Sequence, residues 1–343
     1  MALRKIPSIY KQLCCGVLVA ALLAGCASPA EQPDAEEPSG ISAAQTSDAP
    51  AKASSDSSGT VCFTDALGYT VELSSWERVA SVYGSFAETW TLAGGTLVGV
   101  ADDAVEERGM ELGDDVALLG DVKHPSLEEI LAANPDFLIL SADIEGHVDL
   151  HDALTEAGVP HAYYRVDTFE DYLAMLKQFC DMNDRADLYA KNGTEVQAQI
   201  DRVLQAVEGQ PQPTVLLLRA FSTGAKAKGD DNLAGVILRD LGADNLVEQH
   251  ESLLEDVSLE EVIAADPDFI FVVTMGSSEE AALDYMRQNF EGNPAWADLT
   301  AVREDHYILL PKKLFHYKPN ALWGESYAYL AKILYPELAA EIG

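Results

Sequence analysis

The 343-residue chain predicts an α/β protein of two Rossmann-like lobes, each with a central parallel sheet, joined by one long α-helix with a cleft between them. Three observations carry this expectation. A fifteen-residue segment occurs twice, as SLEEILAANPDFLIL from Ser126 and as SLEEVIAADPDFIFV from Ser258, with nine identities and six conservative changes. Short apolar runs alternate with helical stretches in both halves of the chain. A polar, helix-forming stretch poor in strand residues, 185–207, separates the halves.

The repeat has a physical reading of its own. Ser126 and Ser258 stand where a helix N-cap belongs. Glu129 and Glu261 follow three residues on, the spacing of a capping box, in which hydroxyl and carboxylate satisfy free amides at a helix start. Leu127, Ile130 and Leu131 repeat at helical spacing. Pro135 and Pro267 end the helices, and the runs 137–140 and 269–272 read as strands buried on both faces. Capping leaves Glu128 and Glu260 unassigned, one per lobe in matched positions. Complementing the helix dipole is their simplest role.

In chain order, residues 1–26 read as a lipoprotein signal peptide. Arg4, Lys5 and Lys11 precede an apolar stretch, 13–25, that is too short to span a bilayer and ends in Leu23-Ala24-Gly25-Cys26. That pattern marks Cys26 for lipidation. Residues 27–59, rich in Ala, Ser, Pro, Asp and Glu, lack the apolar residues to build a core and read as a disordered tether. The N-terminal lobe is expected over 60–183. It opens with a hairpin, 61–64 and 69–73 around the turn 65–68. Strands follow over 78–82, 97–100, 137–140 and 161–164, with helices near 87–93, 127–133, 150–157 and 169–182. The connecting helix occupies 184–212, and Gly193 weakens it without breaking it. The C-terminal lobe, 213–343, repeats the pattern with strands over 214–218, 269–273 and 306–310 and helices near 233–241, 259–264, 279–290 and 322–334. A single rigid connector limits closure to a modest hinge.

The net charge of −35 argues against nucleic acid and anionic membrane as partners. Cys14, Cys15 and Cys26 fall in the leader. Cys62 and Cys180 remain, at a spacing that does not demand a pair, and two buried thiols are expected. There is no G-x-S-x-G elbow, no H-E-x-x-H and no phosphate loop, and spacing marks no carboxylate pair for acid–base work. No enzyme activity and no cofactor are implied, and a monomer is expected.

Several short segments, in this order behind the leader, resemble those of a known family. They are Phe63-Thr64-Asp65-Ala66-Leu67-Gly68, Arg78-Val79-Ala80-Ser81, Glu88 with Gly94-Gly95, the two S-L-E…P-D segments, Leu241-Gly242-Ala243 and Asn293-Pro294-Ala295-Trp296. The family is that of substrate-binding lipoproteins of ABC importers, in the class that captures ferric siderophores, haem or cobalamin and has one long helix between its lobes. The resemblance covers nearly all of the chain from about Thr60. It implies a receptor lipid-anchored through Cys26 at the outer face of the cytoplasmic membrane or in the periplasm. Such a receptor captures an anionic iron chelate, a ferric siderophore or haem, and delivers it to the permease. A corrinoid or a free metal ion is the alternative cargo, and a surface enzyme stands further off. By the family's S-L-E pattern, Glu128 and Glu260 would dock onto basic residues of the permease subunits.

Ligands of two-lobed α/β proteins sit at the carboxyl ends of the strands. The loops there hold the candidate ligand-binding residues: Tyr83, Glu88 and Arg165 in the first lobe, and Arg219, Lys226, Lys228, His316, Tyr317, Lys318 and Trp323 in the second. With Lys312 and Lys313, the second lobe's cleft loops are basic in a very acidic chain. Carboxylate, catecholate or phosphate groups on a ligand would account for that, against a bland alternative of scattered surface lysines. Residues 314–320 mix aromatic, imidazole and ammonium groups suited to a flat anionic ligand, with Trp323 and Tyr83 as walls. His316 and Tyr317 are expected as contacts ahead of iron ligands. A bare-metal cleft would draw on His147, His151 and His161 with Asp143 and Glu145, but the second lobe offers His316 alone, so no metal site is assigned.

Overall fold

The computed structural model describes residues 54–55, 59–255, 257–276 and 278–343. The leader, Cys26 and most of the expected tether lie outside the described residues. One part of that tether is ordered into the fold: Ser54–Ser55 pairs antiparallel with Val61–Thr64, which pairs in turn with Thr70–Leu73. The turn between the latter two is closed by Asp65, whose Oδ1 accepts the amides of Leu67 and Tyr69. Asp65 Oδ2 accepts the Tyr163 amide at 3.1 Å and pins the hairpin to the first lobe.

The N-terminal lobe is built on β1 (Val79–Ser81), β2 (Leu97–Val100), β3 (Phe137–Ser141) and β4 (His161–Tyr164). They pair in parallel in the order β4-β3-β1-β2, with Ala117–Leu118 as the outer edge. The C-terminal lobe uses β5 (Thr214–Phe221), β6 (Gly224–Ala227), β7 (Phe269–Thr274) and β8 (Tyr307–Leu309), in the order β6-β5-β7-β8. Here β5, β7 and β8 are parallel and β6 folds back antiparallel on β5. The expected loop over 219–232 is therefore half strand. An edge strand pairs through its backbone and needs no apolar pattern, so the Gly-Ala-Lys-Ala sequence gives no strand signal.

Helices follow most strands: α1 (Gly84–Leu92), α2 (Asp103–Glu106), α3 (Leu127–Ala133), α4 (Phe169–Met182), α5 (Glu195–Val207), α6 (Leu233–Asp240), α7 (Leu259–Ala265), α8 (Lys312–Phe315) and α9 (Trp323–Leu334). The repeat is real in backbone geometry. Ser126 and Ser258 both accept the amide three residues on at 3.3 Å, and both helices end in a left-handed residue, Asn134 at φ 47° and Asp266 at φ 44°. The capping box is half-formed in both copies, and in the second the Glu261 carboxylate accepts the Ser252 hydroxyl instead. A complete box closes at Thr168 and Asp171, at the start of α4.

Residues alternate along the strands between two sets of partners. Val79, Phe137 and Ile139 in the first sheet, and Val215, Leu217, Phe269 and Phe271 in the second, belong to one core shared with α4, α5, α6 and α9. Their neighbours Ala80, Leu138 and Leu140, and Leu216, Leu218, Ile270 and Val272, fill a separate core in each lobe. Burial on both faces explains why these strands read as unbroken apolar runs.

The connector is helical from Ala186 through Val207 but carries one π turn, Ala190–Thr194, around Gly193. Asn192 in that turn donates to Leu92 O at 2.9 Å and its carbonyl accepts the Tyr172 hydroxyl, which locks the connector to the first lobe. At Gly324 a Cβ would lie 2.3 Å from Gln199 Oε1, so α9 lies tight against α5. Cys180 is buried, Cys62 is half-buried, and both are free thiols.

Trp323, expected as a cleft wall, is fully buried and meets Phe169 edge-on at 5.8 Å in the shared core. Its helix needs an apolar face against both lobes, and the indole supplies it. Trp323→Ala is expected to lower stability by about 3–5 kcal/mol in chemical denaturation, while leaving the polar cleft residues in place.

Candidate functional site

The carboxyl ends of the two sheets meet where β1, β2, β5, β7 and β8 end. Tyr83 follows β1 and precedes α1. The α1 amide end is closed by Asp103, whose two carboxylate oxygens accept Gly84 N at 3.0 and 2.9 Å. A side chain at position 84 would strike the backbone of Ala104, which lets α2 pack directly on the start of α1. Burial pushes the Asp103 carboxyl up to about 7 and the Tyr83 hydroxyl up to about 12. From the other lobe, His316 and Tyr317 follow α8 with ring centroids 4.9 Å apart. Tyr317 lies beside Glu107, and burial pushes its hydroxyl up to about 12. His316 is half-buried and held down to about 4 by desolvation and by the nearby charges of Lys312 and Arg219, so its imidazole is neutral at physiological pH.

Arg219 lies in β5 two residues before its end, level with Val273 of β7 and Lys226 of β6. Its Nε is buried with no hydrogen-bond partner among the described residues. Burial lowers its pKa, and Asp231 offsets this in part. An arginine in this state calls for an anion. Lys226 is exposed beside it.

Other expected contacts are engaged within the protein. Lys228 is paired with Asp231, Arg165 with Asp143 at 2.6 Å, and Lys318 with Asp167 at 3.2 Å. Glu88 forms an ion pair with Arg108 and accepts Asn320 Nδ2 at 2.6 Å, so it belongs to a contact between the lobes. The structure thus gathers Tyr83, Arg219, His316 and Tyr317, with Lys226 at the rim, and withdraws Glu88, Arg165, Lys228, Lys318 and Trp323. Sequence reasoning missed Arg108, Glu107, Asn320 and the cap formed by Asp103. A lone arginine in the acidic stretch 102–115 was the available signal for Arg108; nothing marked Asn320.

The histidines weighed for a bare metal are structural. His147 is buried between the Ser141 amide (3.0 Å) and Val122 O (2.7 Å), and His151 and His161 bond to each other at 3.0 Å. Among the described residues no three or more His, Cys, Asp or Glu side chains are grouped to hold a metal ion, and no helix is long and apolar enough to cross a membrane. Glu128 and Glu260 are both exposed, each at the second position of its helix.

The meeting of two α/β lobes, with a buried arginine only partly offset by Asp231, a neutral imidazole and tyrosine hydroxyls, suits the binding of a solute. The chain belongs to the periplasmic binding protein family, whose profile matches residues 79–314. It is a solute-binding protein of the extracytoplasmic compartment, not an enzyme. The high-affinity haem uptake system protein IsdE of Staphylococcus aureus (strain MRSA252) is 19% identical over 228 residues, 65% of this chain and 76% of its own. Among solved structures, S. aureus IsdE complexed with haem has 16% identity and a TM-score of 0.62, over 76% of this chain and 99% of that one. S. aureus SirA complexed with staphyloferrin B has 19% identity and a TM-score of 0.61, over 81% and 98%. An ABC transporter substrate-binding protein from Listeria monocytogenes EGD-e has 21% identity and a TM-score of 0.62, over 76% and 98%. These similarities establish the shared fold.

The raised Asp103 carboxyl has a pH signature. A group whose folded pKa lies above its unfolded value favours folding while protonated, so its contribution is full below about 4 and is lost as pH rises through about 7. Asp103→Asn is expected to flatten that part of the stability profile, measured by urea denaturation between pH 4 and 8.

Proposed function

We propose that the chain is the lipid-anchored solute-binding component of an ABC import system, and that it captures an anionic iron chelate, a ferric siderophore or haem. The convergence of Arg219, Lys312 and His316 at one wall of the cleft carries the reading: a buried guanidinium nitrogen without a partner among the described residues, a second cation and a neutral imidazole. Carboxylate or catecholate oxygens would take the charged hydrogen bonds, and the imidazole and the tyrosine hydroxyls would contact a flat ring or the metal's coordination sphere. The names of relatives with this fold, which refer to haem and to staphyloferrin B, support the ligand class. The lipobox supports anchoring through Cys26. The matched, exposed Glu128 and Glu260 support docking on the permease subunits.

Titration of the purified protein with haemin, ferric siderophores, cobalamin and divalent metals, followed by absorbance and intrinsic fluorescence, tests the proposal. Saturable binding of one iron chelate at micromolar concentration or below is expected, and Arg219→Gln should weaken it by about tenfold or more, as for the loss of a charged hydrogen bond. A response restricted to cobalamin or to free metal would overturn the ligand class. Glu128→Arg with Glu260→Arg is expected to abolish chelate uptake by intact cells while leaving binding by the purified protein unchanged; unchanged uptake would remove the docking role.

A further inference from the structure

Residues 316–322 follow the last strand of the C-terminal lobe in sequence, yet their side-chain contacts run to the N-terminal lobe. Lys318 O accepts Arg108 Nη1 at 2.8 Å. The Arg108 side chain is 3% exposed and ion-paired with Glu88 on α1. Asn320 Nδ2 donates both to Glu88 Oε2 at 2.6 Å and to Ser85 O at 2.9 Å. Lys318 Nζ reaches Asp167 at 3.2 Å, and Trp323 meets Phe169 just beyond. Every one of these partners lies in the first lobe. Asn320 is 2% exposed and sits at φ 54°, a left-handed conformation that a side-chain-bearing residue keeps when its surroundings impose it. Its two hydrogen bonds supply that constraint.

On the other side the segment is tied to the second lobe. The amides of His316 and Tyr317 both return to Lys312 O, Lys312 Nζ donates to Gly276 O at 3.1 Å, and Phe315 is buried against Tyr329. His316 and Tyr317 therefore lie between an anchor in each lobe.

We propose that residues 316–322 form a strap, and that Arg108 and Asn320 are the positioning residues that hold His316 and Tyr317 in the cleft by fastening the strap to the N-terminal lobe. Arg108 donates to the strap backbone through Nη1 and is ion-paired with Glu88, and Asn320 fixes the turn that sends the chain into α9. Loss of Glu88 would leave the Arg108 charge, 3% exposed, without its carboxylate, which is costly because that charge stays desolvated. Opening the cleft must break these contacts or carry His316 and Tyr317 with the first lobe. The strap stands on these contacts whatever the ligand is; its second readout alone rests on the function proposed above.

The first readout is histidine titration by NMR, with His316 assigned by the signal lost in His316→Asn. In the parent protein His316 faces Lys312 and Arg219 and stays neutral down to about pH 5. In Asn320→Ala and Arg108→Lys the loosened strap admits water, and the His316 titration is expected to rise by about one unit or more toward the ordinary value. Near-UV circular dichroism confirms that each variant is folded. Lys318→Ala, which removes a partly exposed pair, is the milder variant should the others fail to fold. A His316 titration unmoved in folded variants would overturn the strap. The second readout is haemin affinity, expected to fall by about tenfold in the same variants. A parent that binds neither haemin nor a ferric siderophore would count against the ligand reading, and the NMR readout would still decide the strap.

Discussion

The structure depends on a single apolar core that both sheets share. Each sheet buries one face in its own lobe and turns the other toward α4, α5, α6 and α9. A packed core transmits strain and tolerates little sliding, so the lobes are held as near neighbours instead of swinging on a flexible linker. The close contact of Gly324 with Gln199 and the burial of Trp323 belong to the same constraint. With the sheets fixed this way, their carboxyl ends face a common space and the short loops after β1, β2, β5 and β8 meet there.

Charge decides which of those loop residues can serve a ligand. In so acidic a protein several cations of these loops find a carboxylate at home: Arg108 with Glu88, Arg165 with Asp143, Lys228 with Asp231, Lys318 with Asp167. The exposed pairs among these add little to stability. Their consequence is selective, because they leave the buried Nε of Arg219 a donor without an acceptor among the described residues. The cleft is thus asymmetric. The first lobe contributes Asp103, Glu107 and a tyrosine hydroxyl, and the second contributes Arg219, Lys312 and a neutral imidazole.

Much of the fold was legible in the sequence. The strands at 97–100 and 161–164 and the helices at 127–133 and 169–182 have the expected limits, because periodicity, caps and prolines are local signals. The short elements escaped. Strand β6 carries no apolar alternation, and α2 and α8 are four residues each, too short for a 3.6-residue period to show. Less of the site was legible. Composition drew attention to the segments around Arg219 and His316, but it could not tell a free cation from a paired one.

Local pattern sufficed for the two-lobed α/β plan, for the doubled helix-and-strand unit with Glu128 and Glu260 in matched places, and for the concentration of basic residues in the second lobe. These follow from local pattern and from composition, which each stretch of chain carries on its own. Tertiary structure alone decided that Trp323 is core, that Glu88 and Lys318 join the lobes, and that Asn320 takes a left-handed turn. Each of these rests on a partner more than a hundred residues away, as Lys318 with Asp167 and Asn320 with Ser85. Burial and pairing at such separation are set by the packing of the whole chain, and no local pattern records them.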